Sequence, residues 1–303
     1  MPSLYRKGFG AAVVLVSLLT ALVCSSTVAA AGTAVAGRVV SASRPSATAE
    51  PLVGGAQGYW LVSSKGNIYH FGAADFYGSE AGKTLPSPIV AMARTADGKG
   101  YWLASAAGNV YDFGDADPYG SEAGKTLPAP IVAIARTRDG KGYWLVSAKG
   151  NVYNFGDAAS YGSEAGKTLP APIVAVAVTS DGKGYWLVSS KGNVYNLGDA
   201  GFGGSEAGKT LPAPIVGVAT AASGYWLVSA KGNVYNLGGA AFHGSEAGKT
   251  LPAPIVAIAR TRDGRGYWLI SAKGNVYNFG DAASLGSEAG TSLPAPIVGA
   301  API

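Results

Sequence analysis

One cysteine, Cys24, and two histidines, His70 and His243, are all that this 303-residue chain has of those residues. A lone cysteine cannot close a disulfide within the chain, so the fold must be held by its core. Two histidines cannot supply a Ser-His-Asp relay to each of several similar units, and these two stand at non-equivalent places in them. Structural or surface roles are expected for both. Charge is sparse at 14%, and the net +5 is unevenly spread. Residues 1–50 hold Arg6, Lys7, Arg38 and Arg44 against Glu50 alone, whereas residues 51–303 hold 19 basic and 17 acidic side chains. The body therefore lacks the concentrated positive field that nucleic acid requires, and nucleic acid is not expected as a partner. Stretches suited to helices are scarce beyond the first 40 or so residues.

The chain does contain 48% hydrophobic residues and 45 glycines. The first figure supports a large core, and the second many tight turns. Arg6 and Lys7 precede an uncharged, mostly apolar run from Gly8 to Val23, followed by small residues with cleavage-like patterns at Val28-Ala29-Ala30 and Ala34-Val35-Ala36. This predicts a signal peptide over residues 1–36, cleaved on export, with an uncleaved anchor as the alternative. Val23 before Cys24 argues against lipidation. Cleavage would leave a mature chain without cysteine. A flexible spacer is expected over residues 37–57, rich in Ser, Ala and Pro.

Residues 58–303 are a repeat. Trp60, Trp102, Trp144, Trp186, Trp226 and Trp268 recur at intervals of 42, 42, 42, 40 and 42, each inside the phrase Gly-Tyr-Trp-Leu. The short interval comes from a trimmed turn, Thr220-Ala221-Ala222-Ser223, a change that surface loops tolerate. In the third unit, Pro130–Arg136 and Tyr143–Ser147 are apolar runs joined across Asp139-Gly140, a strong hairpin signal. The turn Ala148-Lys149-Gly150-Asn151 leads to Val152–Phe155, and Gly156-Asp157-Ala158 to a short polar segment, Tyr161–Glu164. These lengths and compositions predict four strands per unit. The first two are apolar on both faces, the third mixed and the fourth polar, a gradient that suits blades stacked on both faces with an outer edge in water.

The expected fold is all-β: a six-bladed β-propeller of four-stranded blades, preceded by a signal peptide. The first unit begins at its second strand, and Pro296–Ala300 repeats the first, so the C-terminus can complete the first blade. Pro51–Ala56 is a poorer candidate for the same slot. An open solenoid would need capping units with a polar outer face, which the end units do not show.

The pattern Gly-Tyr-Trp-Leu-Val…Gly-Asn-Val-Tyr-Asn-Phe-Gly-Asp-Ala resembles the "GYWLV" repeats of secreted actinobacterial proteins over residues 58–303. It is similar, more loosely, to tectonin and tachylectin-type propellers. The first likeness implies a secreted or envelope-associated protein, often found alone or beside cell-wall enzymes. The second implies sugar binding.

Some motifs mislead. Gly203–Thr210 reads G-G-S-E-A-G-K-T, a full match to a phosphate-binding loop, but Leu211-Pro212-Ala213-Pro214 follows where a helix would have to begin. Asp112-Phe113-Gly114 imitates a kinase triplet without its partner motifs. Asp112, Asp115 and Asp117 could hold calcium, although a solvated turn is the plainer account. No cofactor, metal or catalytic residue is expected, and the chain is not read as an enzyme.

What recurs is a polar set: Asn67, Asn109, Asn151, Asn193, Asn233 and Asn275 beside a turn, with Glu80, Glu122, Glu164, Glu206, Glu246 and Glu288. Lysine recurs in five of the turns and is Ala107 in the second unit, and the last unit has Thr291 where the others pair Glu with Lys. The plainer account is that Asn closes a turn, Glu decorates an outer strand, and the Tyr-Trp pair forms core between blades. The sharper account is six equivalent shallow pockets that combine an aromatic ring with Asn and Glu, giving avidity for a repetitive ligand. Glycan is the first expected partner and a cell-surface protein the alternative. Membrane contact is expected only through an uncleaved leader, and the protein is expected to be a monomer.

Overall fold

The computed structural model describes residues 57–303, an all-β body of eighteen strands without helices. The expected signal peptide, residues 37–56 of the expected spacer and the Pro51–Ala56 segment lie outside the described residues.

The strands form six antiparallel sheets of three. In the first, β1 (Gly58–Ser63) and β2 (Ile68–Gly72) are joined by β18 (Ile297–Pro302). The second is β3 (Ile89–Arg94), β4 (Gly100–Ser105) and β5 (Val110–Gly114), and the third β6 (Ile131–Arg136), β7 (Gly142–Ser147) and β8 (Val152–Gly156). The fourth is β9 (Ile173–Val178), β10 (Gly184–Ser189) and β11 (Val194–Gly198). The fifth and sixth are β12 (Ile215–Thr220), β13 (Tyr225–Ser229) and β14 (Val234–Leu237), then β15 (Ile255–Arg260), β16 (Gly266–Ser271) and β17 (Val276–Gly280).

The six sheets are arranged in a closed, propeller-like ring. β3 lies beside β6, β6 beside β9, β9 beside β12, β12 beside β15, β15 beside β18, and β18 beside β3. These strands are innermost, and the mixed strands β2, β5, β8, β11, β14 and β17 are outermost. The C-terminal copy of the first strand fills its slot, with Tyr59 opposite Pro302 and Leu61 opposite Ala300.

The Tyr-Trp phrase holds neighbouring sheets together. On adjacent positions of a strand the two rings point to opposite faces, so each sheet offers its Trp to the next sheet and its Tyr to the previous one. Trp60 meets Tyr101, Trp102 meets Tyr143, Trp144 meets Tyr185, Trp186 meets Tyr225, Trp226 meets Tyr267, and Trp268 meets Tyr59. Ring centroids are 5.1–5.6 Å apart at 47–59°, the tilted contact that aromatic quadrupoles favour.

The fourth strand expected in each unit does not form. Tyr161–Glu164 and its counterparts pair with no strand and instead make a strap wedged between two sheets. The indole N–H of Trp144 donates to the Ala159 carbonyl at 2.8 Å, and the Tyr185 hydroxyl of the next sheet donates to the Gly162 carbonyl at 2.6 Å. Gly162 has φ +103°, and all five equivalents are also positive, from +116° at Gly204 and Gly286 to +132° at Gly78. A left-handed residue in mid-segment breaks a β-ladder. A side chain at Gly78 would put its Cβ 2.6 Å from Phe113 of the next sheet, so the strap is pressed too close for ordinary strand geometry.

Candidate functional site

Each second-to-third-strand turn brings together the residues singled out by the repeat. In the third sheet the Ser147 hydroxyl donates to Asn151 Oδ1 at 3.0 Å and accepts from the Asn151 backbone N–H at 3.1 Å. Asn67, Asn109, Asn193, Asn233 and Asn275 make the same pair of bonds with Ser63, Ser105, Ser189, Ser229 and Ser271. All six Asn are half-buried, and among the described residues their amide nitrogens make no hydrogen bond. Asn thus does close the turn, and among the described residues its side-chain N–H groups remain free to donate.

Glu does not decorate an outer strand. Glu80, Glu122, Glu164, Glu206 and Glu246 are buried, 5–7% exposed, packed under the turn glycine of the same unit. Gly150 has φ +75°, and a Cβ there would lie 2.6 Å from that of Glu164. The Glu164 backbone N–H donates to the Gly150 carbonyl at 3.0 Å, and Lys167 Nζ sits 3.0 Å from its carboxylate. The same ion pair joins Glu80 to Lys83, Glu122 to Lys125, Glu206 to Lys209 and Glu246 to Lys249. Glu288, facing Thr291, is only half-buried. Asn and Glu are therefore brought together, with Asn at the surface and Glu beneath it. Lys209 and Thr210, the end of the phosphate-loop lookalike, lie in this irregular turn and start no helix.

Outside the turn lies a groove. In the third sheet Lys149 and Asn151 face Lys167, Leu169 and Pro170 across about 960 Å³, closed inward by Pro128 of the preceding connector. In the fifth sheet Lys231 and Asn233 face Lys249, Leu251 and Pro252 across about 770 Å³, closed by Pro212. The second sheet has a counterpart of about 530 Å³, with Ala107 in place of the first lysine. An amide, ammonium groups and a Leu-Pro wall can together hold a hydroxylated ligand. The aromatic ring expected in each pocket is absent from these walls, because the Tyr-Trp pairs are consumed between sheets. The lysines and the Leu-Pro wall were not singled out for binding. The sign available was the recurrence of Leu-Pro in all six units and of each lysine in five of them.

Other sequence candidates separate. Asp112 is exposed on β5 opposite Trp102, Asp115 stands beside Asp97, and Asp117 accepts from the Tyr119 hydroxyl at 3.2 Å. Among the described residues no three His, Cys, Asp or Glu side chains are grouped so as to hold a metal ion. His70 Nδ1 is 2.9 Å from the Ala74 carbonyl, and His243 packs between Trp226 and Tyr267 at 5.8 Å from each.

The opposite end of the ring is less regular. Arg94, Arg136 and Arg260 end β3, β6 and β15, where Val178, Thr220 and Pro302 end the other inner strands. Burial pulls all three guanidinium groups below their ordinary range, and Arg94 comes to about 10 with help from Arg136, Arg262 and Arg260 nearby. One nitrogen of Arg94 donates to the Thr95 and Ala96 carbonyls, and one of Arg136 to those of Thr137 and Arg138. Among the described residues none of the three lies within ion-pair distance of a carboxylate.

Compared with family models and with curated proteins, the chain matches none.

Proposed function

We propose that this chain is a secreted, non-catalytic six-bladed β-propeller that holds polysaccharide of the cell envelope at several equivalent grooves. It acts as a monomer and without a cofactor. The observation that carries this reading is the recurrence of one groove, with Asn, Lys and a Leu-Pro wall in the third and fifth sheets and with Lys and the Leu-Pro wall alone in the second. Shallow grooves of this kind bind single sugars weakly, with dissociation constants on the order of millimolar. Several on one rigid ring raise retention on a polymer by orders of magnitude through avidity. The polar groups suit holding rather than turnover, since the carboxylates are buried under the turn and already paired with lysine. The test is a glycan array together with a pull-down on isolated cell walls, in which polysaccharide is retained and free monosaccharide is not.

A second reading, a protein-binding adhesion module, draws on Phe76, Phe202 and Phe242, which are 53–63% exposed at one strap position in three of the units. Capture of one defined protein with no retention on any polysaccharide would favour it.

A further inference from the structure

The six units differ most where the fourth sheet meets the fifth. Five of the six tryptophans are 0–1% exposed, but Trp186 is half-buried. One difference is the strap residue that covers the indole. Tyr77, Tyr119 and Tyr161 cover Trp60, Trp102 and Trp144 at 6.0–6.2 Å, and His243 covers Trp226 at 5.8 Å. The residue at that place in the fourth unit is Gly203, so Trp186 keeps Tyr225 on one side and has no ring on the other. The hairpin two residues short, Thr220–Ser223, lies beside it, and so do Val178 and Thr220, where three other units carry arginine. Trp186, the trimmed hairpin, Val178 and Thr220 all border a single cleft of about 590 Å³, and Gly203 lies in the strap just beyond its wall residue Gly201.

The cleft has three kinds of wall. Trp186 offers a flat aromatic surface, its indole N–H already donating to the Gly201 carbonyl at 2.8 Å. Asp181 and Asp199 flank the cleft, bridged by the Thr179 hydroxyl at 2.9 and 3.2 Å. Arg136 and Arg260 stand at its inner margin with Arg138 beside them.

We propose that this cleft is a single binding site for an acidic saccharide, a pyranose ring bearing a carboxylate, separate from the recurrent grooves. One face of the sugar stacks on Trp186, its hydroxyls donate to Asp181 and Asp199, and its carboxylate pairs with Arg136 and Arg260. Neither guanidinium group forms an ion pair among the described residues, and Arg136 gives only one nitrogen to backbone carbonyls, so both can meet a carboxylate without breaking a salt bridge. A nucleotide fits less well, because only one aromatic face is open to a base, whereas the paired carboxylates can accept from several hydroxyls of a sugar. The cleft volume suits one to three sugar rings. The site does not depend on the grooves, since none of its residues lies in them.

The test is titration of the full chain with trigalacturonic acid, followed by tryptophan fluorescence, with galactotriose and uridine monophosphate as comparison ligands. Trp186 is the indole that the ligand reaches, so the acidic trisaccharide changes the emission and the Trp186→Phe variant loses that change. Arg260→Gln weakens the acidic sugar about tenfold or more and leaves the neutral one little altered. Gly203→Tyr restores the cover found in three other units and abolishes binding. Arg260→Gln still decides the matter if that variant fails to fold. Asn151→Ala with Asn233→Ala leaves binding at the cleft unchanged, which separates this site from the groove reading. Equal binding of neutral and acidic trisaccharide, tighter binding of the nucleotide, or no Trp186-dependent signal at ~10 mM trigalacturonic acid would overturn the proposal.

Discussion

Trp268 packs against Tyr59 with ring centroids 5.3 Å apart, joining residues from the two ends of the repeat array. The contact repeats the one between every other pair of successive sheets, and the Tyr59 hydroxyl donates to the Gly286 carbonyl as its counterparts do. Closure thus uses the same interface six times, with β18 supplying the inner strand that the first sheet lacks. Deleting residues 293–303 should expose one whole edge of β1, remove the buried Ile297 and Ala301, and favour aggregation. Size-exclusion chromatography with thermal unfolding checks this. A monomeric truncated chain with an unchanged midpoint would count against closure by β18.

The straps should be sensitive to a single hydroxyl. Tyr143 is fully buried and its hydroxyl donates to the Gly120 carbonyl. Tyr143→Phe leaves that carbonyl without its donor, at an expected cost of about 1–2 kcal/mol in urea unfolding.

Two glycines of the same unit should respond differently to alanine. Gly244 has φ +128°, and a Cβ there would lie 2.5 Å from Phe279 Cδ1. Gly248 has φ +76° with open space around it. Gly244→Ala combines strain and overpacking, for about 2–4 kcal/mol, whereas Gly248→Ala bears the left-handed penalty alone, about 1–2 kcal/mol. Equal destabilisation in chemical denaturation would contradict the close strap.

Alkali should unfold the ring steeply. Burial pushes the Tyr59, Tyr143 and Tyr185 hydroxyls up to about 12 and raises Tyr101, Tyr225 and Tyr267 as well. In the unfolded chain these groups ionise near pH 10, so that state loses protons that the fold retains. Their contribution to stability is complete below about pH 10 and is lost as pH rises towards about 12. Absorbance at the tyrosinate band and far-ultraviolet circular dichroism should change together. Ionisation of these tyrosines near pH 10 with the fold intact would contradict their burial.

The repeat, the three strands of each unit, the Asp-Gly hairpins and the closing strand were legible in the sequence because each rests on local composition or on copying. The fourth segment was misread because its role depends on residues more than twenty positions away. Nothing within Tyr161–Glu164 reveals that Tyr185 will reach back to Gly162. Asn was legible as a turn residue, but the burial of Glu was not, since the space for it comes from the missing side chain of Gly150. Gly203 drew notice only as the letter completing a false phosphate loop. Its consequence, the uncovered face of Trp186, appears only when the next sheet is in place.

Multivalent holding of a polymer by equivalent grooves is the property that the recurrent Asn turns predict. Affinity chromatography on insoluble cell-wall polysaccharide, with Asn67, Asn151 and Asn233 changed to Ala singly, in pairs and all together, tests it most directly. Each change removes one free amide donor from an equivalent turn, at Asn151 and Asn233 from the wall of a groove, so retention should fall step by step while the unfolding midpoint holds. Full retention of the folded triple variant would contradict the claim.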